Sequence, residues 1–321
     1  MATVNTMLGP VNIEDLGFTL MHEHIRESSA GVPQVFPDLF DHASDVIRCS
    51  DALNKAASNG VGTIVDVTTM DLGRDIKLMI DVANKVNMNI IPATGLWLDI
   101  PRAIANGCTV DQLAKSFVRE IEEGIEGTHV KAGVIKVATD VQHIVDGKLV
   151  EHNELVLRAA SRASIATGVP ISTHTSSVAK IGNYQVAIFE NEGLKMDKVC
   201  IGHSNDTDDI GYLSGIVDKG CILGMDHFPG GRQGSLNWEQ RVNVIKQLID
   251  LGMADKITVS HDFGGWRPVL PELENARDTN NPDGYSFVSL NVVPRLLELG
   301  ASQKDIDLIT VENPRKFFDI S

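Results

Sequence analysis

The sequence predicts an α/β protein folded as a (β/α)8 TIM barrel, with its active site at the carboxyl ends of the strands. Short runs of β-branched residues alternate with helical stretches along the chain. Eight such runs occur, and their starts lie about 34 residues apart on average, the length of one strand–helix repeat. A doubly wound sheet is the alternative, because it also alternates strands with helices. The predicted strands cover residues 18–21, 63–67, 89–93, 134–137, 170–173, 199–201, 221–224 and 256–260.

The segments between these strands show helical periodicity. Thr109, followed three residues later by Gln112, has the pattern of a capping box at the start of one helix. Apolar residues then recur every four positions, at Leu113, Phe117, Ile121 and Ile125. A second helix places one apolar face at Val242, Ile245, Leu248 and Ile249. Each helix therefore has a face that can pack against the barrel.

The composition limits the functions open to the chain. Its 321 residues, 43% of them hydrophobic, suffice for one large domain spanning 1–321. The net charge of −15 and the lack of a Lys/Arg cluster exclude nucleic acid as a partner. No run approaches the roughly 20 apolar residues that span a bilayer, and residues 1–20 lack a signal-peptide pattern. We expect a cytoplasmic protein without a membrane span. The alternative is an exported protein whose leader peptide has been removed.

The four cysteines are widely spaced and form no C-x-x-C pair. In a chain of this length, such spacing indicates free, buried thiols in a reducing compartment rather than disulfides or a thiolate metal site. The residues concerned are Cys49, Cys108, Cys200 and Cys221.

Histidines and one aspartate follow the predicted strands. His22 and His24 end the first strand, where residues two apart share a face. His174, His203 and Asp262 end the fifth, sixth and eighth strands, so all five side chains should meet at one mouth of the barrel. Imidazole and carboxylate suit zinc, iron or manganese, and the absence of cysteine argues for a catalytic site. Five ligands favour two metals over one.

Lys136 in the fourth predicted strand has two possible interpretations, a modified metal ligand or a surface residue. A protonated lysine 4 Å from a dication would be repelled by about 8 kcal/mol at an effective dielectric of about 20. A carbamate formed with CO2 would instead be an anionic ligand able to bridge two metals. The alternative places Lys136 on the surface as an ordinary strand-end residue, and the residue chemistry leaves both open.

With these residues in place, the chain resembles the bacterial phosphotriesterase (aryldialkylphosphatase) family of the amidohydrolase superfamily, which includes phosphotriesterase-like lactonases. The resemblance implies the (β/α)8 barrel, a CO2-derived carbamate on Lys136 and two divalent metals, with zinc first and cobalt, manganese or iron as alternatives. It also implies a homodimer. The matching segments are GFTLMHEHI (17–25), GTIVDV (62–67), ATGLW (93–97), IKVAT (135–139), THT (173–175), IGHS (201–204) and SHD (260–262).

Carried over residue by residue, the resemblance assigns the metal ligands. The buried metal takes His22, His24 and Asp262, and the exposed metal takes His174 and His203. Lys136 and a hydroxide bridge the two metals.

The resemblance also implies a proton relay from Asp262 through His227 to Asp206, and these three residues are the predicted catalytic groups. Relays of this kind combine a titrating imidazole with carboxylates. In the alternative interpretation, Asp206 caps the helix that begins near Asp209.

The resemblance leads to two functions. Trp97 and His227 match phosphotriesterases, whereas related lactonases carry Tyr and Arg there. The expected reaction is cleavage of a phosphotriester (organophosphate) by the metal-bridging hydroxide. The alternative is a lactonase acting on γ- and δ-lactones or acyl-homoserine lactones, with promiscuous phosphotriesterase activity. The predicted substrate-binding residues are Trp97, His227, Phe263, Arg232 and Trp266.

Some positions depart from the phosphotriesterase pattern. Gly230 replaces a second histidine, Phe263 replaces a tryptophan, and Arg26 and Glu27 replace smaller neutral residues. The segment 263–286 has three prolines and little periodicity, which predicts a roof over the pocket. These departures concern substrate choice rather than metal chemistry.

Other classes of protein fit less well. A serine esterase needs G-x-S-x-G, and the nearest match here is GHSND at 202–206. A mononuclear deaminase of the same superfamily would lack the lysine of the fourth strand. A non-catalytic barrel that binds a small ligand has no need of an open dimetal site. The partner we expect is therefore a small-molecule ester.

Overall fold

Parallel strands surround the centre of the molecule in this computed structural model, which describes residues 2–230, 235–266 and 280–320. All eight predicted strands are present in the described part, each within two residues of its expected position. They are β1 Phe18–Glu23, β2 Val61–Asp66, β3 Asn89–Gly95, β4 Val134–Thr139, β5 Ile171–Thr175, β6 Val199–Ile201, β7 Ile222–Met225 and β8 Ile257–Val259.

The strands pair in chain order from β1 to β8, which identifies a barrel rather than a doubly wound sheet. The barrel closes where β8 returns beside β1, since the Asp262 amide donates to the His22 carbonyl at 3.0 Å. The (β/α)8 fold is therefore confirmed. In the register, Lys136 of β4 lies opposite Gly95 of β3 and Ser172 of β5. A Cβ on Gly95 would lie 1.9 Å from the Lys136 carbonyl oxygen, so only glycine fits there.

A helix follows each of the first seven strands and precedes the next strand, as the periodicity predicted. The capping box of Thr109 and Gln112 is present, and the predicted apolar residues pack against the barrel, with only Ile249 half-buried among them. Ile125 is buried but lies beyond its predicted helix, which ends at Glu122 before Gly124 at φ +142°. These helices are α1 His42–Ser58, α2 Ile76–Ala83, α3 Val110–Glu122, α4 Glu151–Thr167, α5 Gly182–Asn191, α6 Ile210–Asp218 and α7 Trp238–Asp250.

After β8 the chain returns to the barrel through a helical stretch. A π-helical segment, Val288–Val292, leads directly into α8, Val293–Glu298. Two further helices are separated by a second π-helical segment, Leu308–Glu312, and buried Phe317 and Phe318 pack against the amino-terminal part of the chain. These helices are α9 Gln303–Asp307 and α10 Asn313–Phe318.

The barrel is closed at the end opposite the predicted site. An antiparallel hairpin, Thr3–Thr6 with Gly9–Asn12, lies across that end, where the Asn5 side chain donates to the Ala132 carbonyl at 3.0 Å. Apolar side chains fill the interior above it, as expected of a barrel with a packed core. They include Val4, Val65, Ile91, Val134, Cys200 and Ile222. Polar groups are therefore concentrated at the opposite mouth.

The cysteines and the hydropathy of the helices agree with the sequence. All four cysteines are free thiols; Cys49, Cys200 and Cys221 are buried, and Cys108 is half-buried. Burial raises the pKa of Cys221 to about 12, so that thiol is inert near neutral pH. Among the helices of the described residues, none has the length and hydropathy needed to cross a membrane.

Candidate metal centre

The strand ends bring the six predicted metal ligands to one mouth. His22 is in β1 and His24 directly follows it, Lys136 is in β4, and His174 is in β5. His203 and Asp262 follow β6 and β8. The Nε2 atom of His22 lies 2.6 Å from Nζ of Lys136 and 3.7 Å from Oδ1 of Asp262. The Nε2 atom of His24 lies 3.1 Å from the same Asp262 oxygen, so β1, β4 and the end of β8 share one cluster.

The two remaining histidines meet beside this cluster. Nε2 of His203 lies 2.7 Å from Nδ1 of His174, and the His22 and His203 rings are 4.9 Å apart. His203 is buried, whereas the His174 side chain keeps 19% of its surface exposed. The mouth therefore has a closed side around His22 and an accessible side around His174.

The chemistry of these atoms fits divalent metals. His22, His24 and Asp262 each offer a ligand atom within 4.8 Å of the others. Imidazole nitrogens aimed at one another and at a carboxylate form a donor set typical of zinc, iron or manganese.

Lys136 does not lie on the surface, so the alternative of an ordinary strand-end residue is wrong. Its side chain is 1% exposed, and burial lowers its pKa to about 8. A substantial share of the amine is therefore neutral near physiological pH, and the neutral amine is the form that reacts with CO2.

Asp226, directly after β7, is a buried carboxylate beneath the cluster that the sequence analysis missed. Its Oδ2 atom lies 3.0 Å from Nδ1 of His22, and its Oδ1 atom lies 2.8 Å from Nδ1 of His203. With the Asp226 carboxylate beside both Nδ1 atoms, both Nε2 atoms are available to metals, the usual role of a carboxylate behind a ligating histidine. Although burial opposes ionisation, His203 and His22 hold the pKa of Asp226 well below its usual value.

His24 has an acceptor of a different kind. Its Nδ1 atom is hydrogen-bonded to the Thr68 hydroxyl at 2.8 Å. The Thr68 amide in turn donates to buried Asp66 at 2.9 Å, and the same carboxylate accepts from the Ile25 amide at 2.6 Å. The loop after β2 therefore fixes both the ring of His24 and the backbone beside it.

A chain of hydrogen bonds leads away from Asp262. Its Oδ2 atom lies 3.1 Å from Nε2 of His227, whose Nδ1 atom lies 2.8 Å from Oδ2 of Asp206. The structure therefore connects the three predicted relay residues in the expected order. Although burial alone lowers it, Asp206 and Asp262 raise the pKa of His227 to about 10.

Asp206 does not cap the following helix, so that alternative is wrong. Asp209 is the N-cap of α6 and accepts from the Tyr212 amide. Asp206 instead accepts from the buried guanidinium of Arg241 at 2.6 Å. Arg241 comes from α7, and its role was not apparent from the sequence because nothing in the helical pattern distinguishes it.

The mouth carries partly exposed aromatic residues. The Trp97 ring lies 5.8 Å from the His174 ring, edge to face, and the Trp97 amide donates to buried Asp71 at 3.0 Å. Phe263 packs edge to face on Tyr285 at 5.1 Å. A cavity of about 420 Å³ opens beside His227 and Phe263, and its apolar wall comprises Val178, Phe228, Pro229 and Leu236.

Two predicted substrate contacts fall outside this description. Arg232 and the side chain of Trp266 lie outside the described residues, as does 267–279, the greater part of the predicted roof. The backbone of Gly265–Trp266 pairs with Arg26–Glu27 in parallel, so the loop after β8 begins directly over the loop after β1.

Comparison with known proteins settles the family. The model of the phosphotriesterase family matches residues 2–318. The chain belongs to the phosphotriesterase family.

Relatives match the chain along nearly its whole length. A "phosphotriesterase homology protein" of Mycobacterium tuberculosis is 36% identical over 99% of this chain and 98% of its own. An "aryldialkylphosphatase" of Saccharolobus solfataricus is 35% identical over 97% of this chain and 98% of its own. An "N-acetyltaurine hydrolase" of Xenopus tropicalis is 27% identical over 98% of this chain and 97% of its own. As a member of this family the protein is an enzyme, a metal-dependent hydrolase.

The solved structures agree with this result. The structure of the phosphotriesterase from Mycobacterium tuberculosis superposes with a TM-score of 0.91 at 35% identity, covering 99% of this chain and 98% of that one.

The departures from the phosphotriesterase pattern have structural causes. A Cβ on Gly230 would lie 2.1 Å from Nε of Arg241, so no larger residue fits while Arg241 holds Asp206. Arg26 turns away from the mouth and pairs with Asp45 at 3.0 Å. Glu27 turns towards it, and its Oε2 atom lies 3.7 Å from Nε2 of His24.

Proposed function

We propose that the protein hydrolyses phosphotriesters at a centre of two divalent metals bridged by a carbamate on Lys136. The observation that carries this proposal is the convergence of six ligating side chains at one mouth. Buried acceptors orient the rings of His22, His24 and His203 there. Zinc is the first candidate for the metals, and cobalt, manganese and iron are alternatives. The relative named aryldialkylphosphatase supports the phosphotriester as substrate.

The ligands divide between two sites. His22, His24 and Asp262 would hold the buried metal, and His174 and His203 the accessible one. Lys136 would supply the shared ligand, because its nitrogen adds to the carbon of CO2, loses a proton to solvent and becomes a carbamate anion. The carbamate and Asp262 together offset two of the four positive charges of the metals. The remaining positive charge favours a transition state that gains negative charge on oxygen.

Residues of the chain would transfer the proton and bind the substrate. Bound metals would lower the pKa of a water molecule between them towards about 7 and polarise the phosphoryl oxygen. The positive charge of the bound metals would favour the neutral form of His227 and so leave Nε2 free. Asp262 would then accept the proton of the attacking water at Oδ2 and pass it to Nε2 of His227. Oδ2 of Asp206 accepts a hydrogen bond from Nδ1 of His227 and would stabilise the imidazolium, while Arg241 holds Asp206 in place. Trp97 and Phe263 would bind the apolar ester groups.

Lactone hydrolysis is the second candidate. Gly230 and Phe263 depart from the phosphotriesterase pattern in the part of the mouth that contacts substrate, and the same metals can stabilise the tetrahedral oxyanion of a lactone. The amide named for the Xenopus relative, N-acetyltaurine, provides a third class of substrate for comparison.

A comparison of specificity constants tests the proposal. The protein is loaded with zinc, cobalt or manganese in bicarbonate, and kcat/KM is measured for an aryl dialkyl phosphotriester, γ- and δ-lactones, and N-acetyltaurine. We expect the triester to lead by 100-fold or more, equivalent to about 2.7 kcal/mol of transition-state stabilisation. A lactone or the amide leading by that margin would contradict the proposed substrate. The Lys136→Ala variant, purified identically, controls for contaminating hydrolases.

A further inference from the structure

Glu23 lies between two predicted metal ligands in the chain, yet its side chain points to the opposite face of β1. Its side chain is fully buried. We propose that Glu23 is a positioning residue that fixes Asp262 in the orientation needed of a metal ligand and proton acceptor. This inference rests on the metal centre proposed above, and it assigns to Glu23 no contact with metal or substrate.

The carboxylate holds the backbone on both sides of Asp262. Oε1 of Glu23 accepts from the His261 amide at 3.0 Å, and Oε2 accepts from the Phe263 amide at 3.0 Å. The Asp262 amide donates to the His22 carbonyl, also at 3.0 Å. Three consecutive amides after β8 are therefore tied to two consecutive residues of β1. The backbone of Asp262 can move relative to His22 and Glu23 only if these bonds break.

The backbone of Asp262 needs such support. Its φ angle is +53°, in the left-handed region that residues other than glycine rarely adopt. Surrounding contacts maintain such conformations, which are often found at active sites. The conformation turns the Asp262 side chain back towards β1, where Oδ1 approaches His24 and Oδ2 approaches His227.

The imidazole of His261 strengthens the same connection. Its Nε2 atom accepts from the Val288 amide at 2.9 Å, so the ring proton is on Nδ1. Nδ1 then donates to Oε1 of Glu23 at 2.6 Å. The Ser260 hydroxyl also donates to Oε1, at 2.7 Å, and accepts from the His22 amide. Glu23 is thus surrounded by donors from the end of β8, and it holds the backbone on both sides of Asp262.

This arrangement predicts why glutamine is a poor substitute for Glu23. Both carboxylate oxygens accept hydrogen bonds, whereas a glutamine amide offers one acceptor and one NH2 group. Either the Phe263 amide or the group of donors at Oε1 would face that NH2 group. The bond pattern around Asp262 would be lost although the side-chain volume is almost unchanged.

Cobalt binding to the full-length, metal-free protein tests the inference. Binding in bicarbonate is followed by calorimetry and by the visible absorption of Co²⁺. We expect wild type to bind two Co²⁺ ions. Glu23→Gln should retain one site and bind Co²⁺ at the second at least about tenfold more weakly, which is the usual loss of metal affinity for groups that orient ligands. The visible absorption spectrum of the bound Co²⁺ should also change.

Three further variants make the result specific. In an Asp262→Asn background, Glu23→Gln should change cobalt affinity less than twofold, because Glu23 acts through Asp262. Asp71→Asn is the matched control, since Asp71 is also buried and binds loop amides, and should leave both affinities unchanged. Ser260→Ala removes one donor to Glu23 together with the acceptor of the His22 amide, and should weaken the same site about threefold even if Glu23→Gln fails to fold.

The outcomes separate this inference from the proposed function. Wild type that binds fewer than two Co²⁺ ions would overturn the metal centre and this inference with it. Two sites in wild type, both unchanged in a folded Glu23→Gln variant, would overturn only the role of Glu23. Equal losses in the wild-type and Asp262→Asn backgrounds would do the same, because Glu23 would then act independently of Asp262.

Discussion

The histidines at the strand ends and the aromatic residues on the loops above them are held in different ways. His22 and His203 each contact Asp226 through Nδ1, and both rings are buried. Trp97 is held by its backbone amide, which donates to Asp71, while its ring meets His174 at the edge of the mouth. The proposed metal ligands are thus fixed through atoms of their rings, whereas the proposed substrate contact Trp97 is fixed through its backbone. Changes at the strand ends should affect every substrate, and changes on the loops should alter the choice among substrates.

The largest effect is expected at Lys136, which we propose supplies the ligand shared by both metals. Lys136→Ala should lower kcat/KM at least about 1,000-fold for triester and lactone alike, because it removes the group that holds the metals together. Metal analysis should show fewer than two ions per chain. Exposed Lys131, just before β4, is the matched control, and Lys131→Ala should retain activity and metals. Full metal content in Lys136→Ala would place the lysine outside the centre.

Asp226 should come next, because it orients one histidine of each metal. Asp226→Asn should weaken both metals about 10- to 100-fold. Thr68→Val removes the acceptor of His24 alone and should weaken one metal only. Competitive chelator titrations of the two variants measure this difference. An Asp226→Asn variant that weakens only one of the two sites would contradict a role for Asp226 in both.

The relay should affect rate without affecting metal content. Asp206→Asn should lower kcat about 100-fold, the scale of a lost proton-transfer group, because the imidazolium of His227 loses its anionic partner. Metal content should remain at two ions per chain. Rapid-quench or steady-state kinetics with metal analysis on the same sample distinguishes these effects. A variant that has lost metal would identify Asp206 as structural support for the centre.

The loops should show a smaller effect on catalysis than the strand ends do, and the clearest effect on specificity. Trp97→Ala should lower kcat/KM about tenfold for an aryl phosphotriester, because an aromatic contact is lost, and less than threefold for a small lactone. Trp97→Phe retains an aromatic face and serves as the control. An equal loss for both substrates would mean that Trp97 supports His174 instead of selecting substrate.

The smallest effect is expected on the outer helices, far from the mouth. Thr109 accepts from the Gln112 amide at the start of α3. Thr109→Ala should lower the free energy of unfolding by about 1 kcal/mol and leave kcat/KM unchanged. Urea denaturation measures the first quantity. A changed kcat/KM would show that this helix is coupled to the mouth.

The same contrast explains what the sequence could predict. Apolar periodicity located all eight strands, but it ended β1 at residue 21, whereas the strand continues to Glu23. The added residues, His22 and Glu23, are polar, so the apolar run ends before the strand does. His22, His24 and Asp262 were found because strand ends of a barrel share one mouth.

Other parts of the site depend on contacts between distant segments. Asp226 is a single carboxylate after β7, and its partners His22 and His203 lie 204 and 23 residues earlier in the sequence. Glu23 acquires its role from the register of β1 against the end of β8, which no local pattern encodes. Arg241 reaches Asp206 from α7 and thereby requires glycine at 230.

Anomalous diffraction at the zinc absorption edge, from crystals of the zinc-loaded protein grown in bicarbonate, tests the central claim most directly. The account predicts two peaks about 3.5 to 4 Å apart, one beside His22, His24 and Asp262 and the other beside His174 and His203. Electron density should extend Lys136 by a carboxyl group that touches both peaks. A single peak, or an unmodified Lys136 beside two peaks, would contradict it.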